Sequence, residues 1–291
     1  VEGVYKGSTE LVFVPGKLRG GEFTFDIGTA GSVSLVIQSL LPILPFLDRK
    51  TTIVIRGGTD VPMSPPIDYL RYVLMPFLRM MSYEMEIRVI RRGHYPRGGG
   101  EVVVHVEPTN ELKAIDVVER GEIEFIGGRS HCVRLPKHVA ERQAYSAKEY
   151  LESKGIRVPI EIELEYYEHD KDPHIGPGSG IVVYAKGEKS TLGGDALGAK
   201  GKPAETVGRE AAEKLYNEIL SNAAVDRHCG DMLVPLMAIA HGISRITVSE
   251  LTLHTLTALE VVKLILGVKA EVGVYGHKAY LIKLYGVDVK R

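Results

Sequence analysis

The sequence predicts an α+β fold: repeated βαβαββ-like modules with a small inserted α/β domain. Three observations carry the prediction. The elements legible in residues 32–106 and in residues 231–285 follow one order (helix, strand, loop, helix, strand, turn, strand), as copies of one module would. A stretch with a different succession of elements, residues 126–220, separates them. The chain has 291 residues, 44% hydrophobic and 25% charged, an ordinary globular composition at a length that suits two domains. The expected division is a repeated-module domain from residues 1–125 and 221–291, with residues 126–220 inserted.

Residues 10–14 and 22–27 alternate apolar and polar side chains around Pro15, Gly16 and the Gly20-Gly21 pair. This reads as a β-hairpin, the tail of a third, truncated copy. The small residues Gly28, Thr29, Ala30, Gly31 and Ser32 then open a helix expected over residues 32–47. Residues 51–56 form a β-branched strand that enters a loop ending in Pro65 and Pro66, which suit the start of a helix over residues 67–81. Strands at 84–90 and 101–106 flank a Gly-rich turn. The insert begins with a strand near 122–125. It continues with a helix over 139–154, strands at 160–166 and 181–185, a loop from Gly193 to Lys202 and an amphipathic helix over 203–220. The second copy follows: helix 231–240, strand 245–248, a helix to about Leu266, then hairpin strands 268–274 and 278–284. The chain opens at Val1 without an initiator Met, inside what reads as a structured segment, so part of the natural N-terminus is expected to be missing from these residues.

Composition excludes several classes. The longest apolar run, near residues 35–47, is broken by Gln38, Ser39, Pro42 and Pro45, so no membrane span is expected. No signal peptide is present, and Cys132 and Cys229 alone make neither a disulfide framework nor a thiolate zinc site, which points to the cytoplasm. With a net charge of −1, contact with nucleic acid must come from a local patch. Arg88, Arg91, Arg92, His94 and Arg97 are the best such patch, with Arg88 and Arg92 expected on one strand face. The polar stretch at residues 166–174 is rich in metal-ligand types, a composition that equally suits a solvated loop.

The residue that draws these elements together is His254. It stands where the strand over 245–248 gives way to a helix, with Thr252 and Thr255 on either side. Backbone N–H groups at a helix start favour anions, and phosphate chemistry is one setting in which imidazole serves as a nucleophile. The plain alternative is a polar helix-start residue. Gln38, inside an apolar helix, needs hydrogen-bond partners, from the backbone or from a ligand. Residues 28–32 form a possible phosphate cradle that matches neither the Walker nor the dinucleotide pattern. In the repeat, His254 and the Pro65-Pro66 pair occupy equivalent strand-to-helix loops, where ligand sites in α/β modules concentrate.

Five stretches together resemble the RNA 3′-terminal phosphate cyclase family. They are residues 26–32 with Gln38; Gly57, Gly58, Thr59 and Asp60 with Pro65, Pro66, Asp68 and Tyr69; Tyr95 to Gly100; Gly230 with Asp231; and His254 within Leu253 to Thr257. The resemblance runs from about Gly7 to the C-terminus, and the family's modules resemble the C-terminal domain of translation initiation factor 3. It implies ATP-dependent conversion of an RNA 3′-phosphate to a 2′,3′-cyclic phosphate. His254 would carry AMP, and Mg²⁺ or another divalent cation would neutralise the triphosphate. It also implies nucleotide contacts from Gln38, Pro65, Tyr69 (a stacking face for adenine), His228, Cys229, Gly230, Asp231 and Met232. His228 and Met232 depart from the Tyr and Gln common in the family. The metal ligands are not legible, and the family's N-terminal Gly-rich stretch has no counterpart in these residues. Two rivals remain: a non-catalytic cyclase-like scaffold that binds RNA or ribosome precursors, and an enolpyruvyl transferase on a similar fold. The first would have lost the nucleophile. The second would need denser Lys and Arg than the repeats carry.

Overall fold

The computed structural model describes the backbone of residues 1–291 and every side chain except that of His169. The first module runs β1 (Glu22–Asp26), α1 (Val33–Leu40), β2 (Thr51–Gly57), a continuous helical stretch, β3 (Met85–Arg91) and β4 (Gly100–Val106). The helical stretch joins α2 (Ile67–Tyr69), a π-helical turn (Leu70–Leu74) and α3 (Met75–Met80). Its sheet has the order β1-β2-β4-β3, with β1 parallel to β2 and the other neighbours antiparallel.

The second module opens with the two-residue strand β5 (Asp116–Val117), and the insert then interrupts it. The insert comprises β6 (Ile123–Val133), α4 (His138–Ser153), β7 (Ile160–Glu165), β8 (Gly178–Gly187), β9 (Thr191–Leu197) and α5 (Ala204–Ser221). The second module resumes with α6 (Arg227–Ile239), β10 (Ile243–Val248), α7 (Leu253–Leu266), β11 (Lys269–Tyr275) and β12 (Ala279–Tyr285). Its sheet order is β5-β10-β12-β11, with β5 parallel to β10, strand for strand the topology of the first module. The repeat is thus βαβαββ in both copies.

The structure corrects the reading of the N-terminal region. Residues 10–14 do not pair with β1; Val12 makes a single bridge to Glu2. β1 lies parallel to β2 as the first strand of a complete module, so it is not the tail of another copy. Alternation along 10–14 and 22–27 signals exposed strand-like chain but not its partner. α1 ends at Leu40 because Pro42 lies just beyond it, and a 3₁₀ turn over Leu44–Phe46 follows. Residues 191–197, expected in part as loop, are β9, antiparallel to β8. Gly193 and Gly194 sit in that strand because neighbours press on it. A Cβ on Gly193 would lie 2.6 Å from Val73 Cγ2 and 2.7 Å from Tyr69 Cε2.

One core joins the two modules across α1, the 67–80 helix and α6, and a second lies between the insert's sheet and α4 and α5. The insert is tied to the first module by fully buried Arg92. Its guanidinium reaches Glu165 of β7 through Nε and Nη2, both at 2.7 Å, and also binds Asp60 and Asp68. Tyr72 and Tyr184 stack beside it at 5.2 Å between ring centroids. Arg92 is therefore no part of a surface patch. A bulge between Val89 and Arg91 reverses the side-chain alternation, so that Arg88 faces solvent and Arg92 the interior. Among the described residues, no helix is long and apolar enough to cross a membrane.

Candidate functional site

A cavity of about 390 Å³ opens where the two modules and the insert meet. Both copies contribute the same two places. The strand-to-helix loops supply Met63, Ser64 and Pro65 from the first module and His254 from the second. The first helices supply Leu35 and Gln38 from α1, and His228, Asp231 and Met232 from α6. Asp195 of β9 and Lys214 of α5 close the side towards the insert, 3.5 Å apart as an ion pair.

His254 is the second residue of α7 and is exposed. The helix start is built by Thr252, whose hydroxyl accepts from the Thr255 N–H at 3.1 Å and lies equally close to the Thr255 hydroxyl. That cap fixes the turn carrying the imidazole and leaves the N–H groups of Leu253 and His254 without a side-chain partner, an arrangement that receives anions.

α6 starts differently. Asp226 caps it, accepting from the N–H groups of His228 (3.0 Å) and Cys229 (2.9 Å). Its carboxylate also receives the Gly193 N–H at 2.9 Å and the Tyr69 hydroxyl. One buried carboxylate thereby joins α6, α2 and β9. Tyr69, expected as a stacking face, is 2% exposed with its hydroxyl committed to Asp226, so it forms the floor of the cavity. The sequence reading missed Asp226; an Asp at the start of a helix, two residues before His228, was the available signal. It also missed Asp195 and Lys214, which only the long-range packing of the insert brings in.

Helical spacing sorts the α6 segment. His228, Asp231 and Met232 lie three and four residues apart on the cavity face. Cys229 and Gly230, between them, point into the core. Burial raises the Cys229 thiol well above its usual value, and a Cβ on Gly230 would meet Val248 Cγ1 at 2.7 Å. Their side-chain positions are taken up by packing. Asp231 is short of water and has no hydrogen-bond donor among the described residues. Burial pushes its carboxyl up to about 6, against the pull of the nearby His228 and His254 rings. Gln38 presents a buried side-chain N–H group with no partner at the edge of this space.

Among the described side chains, residues 166–174 contribute no group of three that could hold a metal. Asp172 accepts from the Arg134 and His174 N–H groups and meets the His174 ring at 2.7 Å, while the His169 side chain lies outside the described residues. Among the described residues, groups of three such side chains converge elsewhere: Asp60, His94 and His131, and Glu111, His241 and Asp288. At the first, Arg92 already answers Asp60, and the two histidines bond each other at 3.0 Å.

A family profile described as RNA 3′-terminal phosphate cyclase matches residues 1–272. A protein of Hyperthermus butylicus named RNA 3′-terminal phosphate cyclase is 56% identical over 266 residues, which cover 91% of this chain and 74% of the relative. One of the same name from Caldivirga maquilingensis is 51% identical over 96% of this chain and 78% of its own length. Another, from Ignicoccus hospitalis, is 49% identical over 100% and 82%. With a repeated βαβαββ fold, an interrupting insert and His254 at the shared cavity, the chain belongs to the RNA 3′-terminal phosphate cyclase family.

Proposed function

We propose that this protein uses ATP to convert the 3′-terminal phosphate of an RNA to a 2′,3′-cyclic phosphate, with His254 carrying AMP between the two. The observation that carries the reading is the convergence of His254, Gln38 and Asp231 on one cavity in a chain of this family. His254 attacks the α-phosphate of ATP: an N–P bond forms and the P–O bond to pyrophosphate breaks. Asp231, whose raised carboxyl lies within electrostatic reach of the ring, is the group available to take the imidazole proton. An oxygen of the RNA 3′-phosphate then displaces His254 from phosphorus. The neighbouring 2′-hydroxyl finally attacks the RNA phosphate and expels AMP, an intramolecular closure favoured by proximity.

The lining suits a nucleotide. The unpartnered N–H of Gln38 is a polar group that a base edge would satisfy, and the start of α7 suits a phosphate. Asp195 and Asp231 are the lining carboxylates, an oxygen donor set of the kind that Mg²⁺ takes alongside substrate phosphates. A divalent cation held there would neutralise phosphate charge. With Cys132 and Cys229 both free and buried, we infer the cytoplasm as the compartment.

Incubation with ATP labelled at the α-phosphate and Mg²⁺ should leave label on the protein in a bond that is labile to acid and stable to alkali, and His254→Ala should abolish it. A full adduct in that variant overturns the assignment of His254. RNA ending in a 3′-phosphate should acquire phosphatase-resistant ends only when ATP is present. Resistant ends without ATP would remove the adenylylation route.

A further inference from the structure

A second cavity, of about 690 Å³, takes no part in the chemistry above. It lies between the turn after β3 and the insert, bordered by the segment leading into β8, the start of α4 and the connection from β9 to α5. No carboxylate lines it, while Arg97, Arg142, Lys200 and Lys202 do. Two of these cations are answered nearby: Arg142 by Glu205 and Lys202 by Glu210. The other two are not. Arg97 donates to the Ile175 carbonyl at 3.0 Å, and Lys200 has no carboxylate partner among the described residues. Both long helices of the insert begin here, α4 after Lys137 and α5 after Pro203, with Glu141 and Glu205 in their first turns.

A second, independent feature points to a ligand. His94 is 7% exposed and lines this cavity; its Nε2 is taken by His131 at 3.0 Å, and its Nδ1 is buried without a partner. Whichever ring donates across the Nε2 pair, the His94 Nδ1 is left unsatisfied. It lies against Gly178, on the same wall, where a Cβ would stand 2.4 Å from it. Tyr95, next along, is 69% exposed and offers an open aromatic face.

We propose that this cavity binds single-stranded RNA upstream of the reacting end, with a phosphate at Arg97 and Lys200 and a base on Tyr95. Unanswered cations select the phosphate, and an exposed ring accepts any base. The inference rests on the reading of the His254 cavity as the reacting-end site, and α5 links the two. Ala204 lines this cavity and Lys214 the other, ten residues or ~15 Å along the helix axis, a gap that a short strand bridges.

The test uses the full chain and two fluorescent RNAs with 3′-phosphates, a dinucleotide and a ten-nucleotide strand. The double variant Arg97→Ala/Lys200→Ala should weaken binding of the longer RNA by about tenfold or more. It should also lower the slope of log affinity against log salt by about 0.7, for the one phosphate no longer neutralised. Dinucleotide binding and labelling of His254 by ATP should stay within about twofold, since neither cation lines the His254 cavity. Lys200→Glu, at an exposed site, should reproduce the loss without disturbing folding. Unchanged binding of the longer RNA overturns the proposal. So does equal weakening of both RNAs, or loss of affinity for ADP alone, which would mark a free-nucleotide site. Absence of the His254 adduct in the unaltered protein would instead count against the reacting-end reading, and the comparison of the two RNAs would still decide this one.

Discussion

Asp226 and Asp231 are both carboxyls held away from water, yet their partners give them opposite roles. Burial and Glu218 push Asp226 up, but the Tyr69 hydroxyl and the N–H groups of Cys229 and Gly193 pull it back, and it serves as a structural joint. Asp231 has no such donors and is pushed up to about 6. A carboxyl whose folded value lies above its unfolded value of 3.8 contributes stability at low pH, and that contribution is lost as pH rises from about 4 through 6. Asp231→Asn should therefore be more stable than the unaltered protein at pH 7.5, by on the order of 1–2 kcal/mol after screening at this partly open site. Near pH 4 the two should converge. Denaturant unfolding at both values checks this; a variant less stable at pH 7.5 would show that the carboxylate has a partner the structure does not contain. Stability withheld at a site is a common accompaniment of function.

Among the elements, α6 shows what could and could not be read from sequence. Its apolar pattern gave the helix, and its family-like segment gave His228, Asp231 and Met232, which share a face. The same segment included Cys229 and Gly230, which the helical turn sends into the core. The duplication was legible because each copy carries its own helix and strand periods. The partner of β1 was not, because alternation fixes a strand's faces and leaves its neighbour open. β9 was misread in part because Gly193-Gly194 resembles a turn, whereas here Gly193 makes room for the helix that carries Tyr69 and Gly194 for α5. Gly193→Val should accordingly cost about 1–3 kcal/mol as an overpacked contact. It should also displace the Tyr69–Asp226 joint and reduce labelling of His254. Gly273→Val, on exposed β11 with nothing near its added Cβ, is the control and should leave both unchanged. Equal behaviour of the two variants would remove β9 from any part in shaping the cavity.

At the scale of the whole molecule, the insert is held to the first module around Arg92 by histidines and carboxylates that resist protonation. Burial pushes His131 down to about 3, and it lowers His94 and His174 as well. Burial alone would raise Asp60, yet it is drawn down to about 2. His131, which is charged at the low pH where Asp60 titrates, and the Arg92 guanidinium hold it there. Arg92 and Arg129 likewise keep Glu165 well below the usual range against its own burial. Every one of these folded values lies below its unfolded counterpart. Their stability is fully present above the unfolded values and is lost on acidification, first through the histidines below 6.5 and then through the carboxylates below about 4. Asp231 works in the opposite direction, but only below about 6 and as a single group. His131 alone should take away about 2 kcal/mol between pH 6.5 and pH 5, since the folded protein binds no proton there while the unfolded chain does. The charged and titratable groups acting on it are Arg92, Asp60, His94 and Glu165, and it is buried. His131→Gln keeps a polar side chain towards His94 and cannot titrate. It should be less stable at pH 7.5 but should lose less on moving to pH 5, the two differences in unfolding free energy separating by about the same 2 kcal/mol. Identical pH dependence in the two proteins would mean that His131 gains its proton without cost, and that the joint between insert and module is open to water.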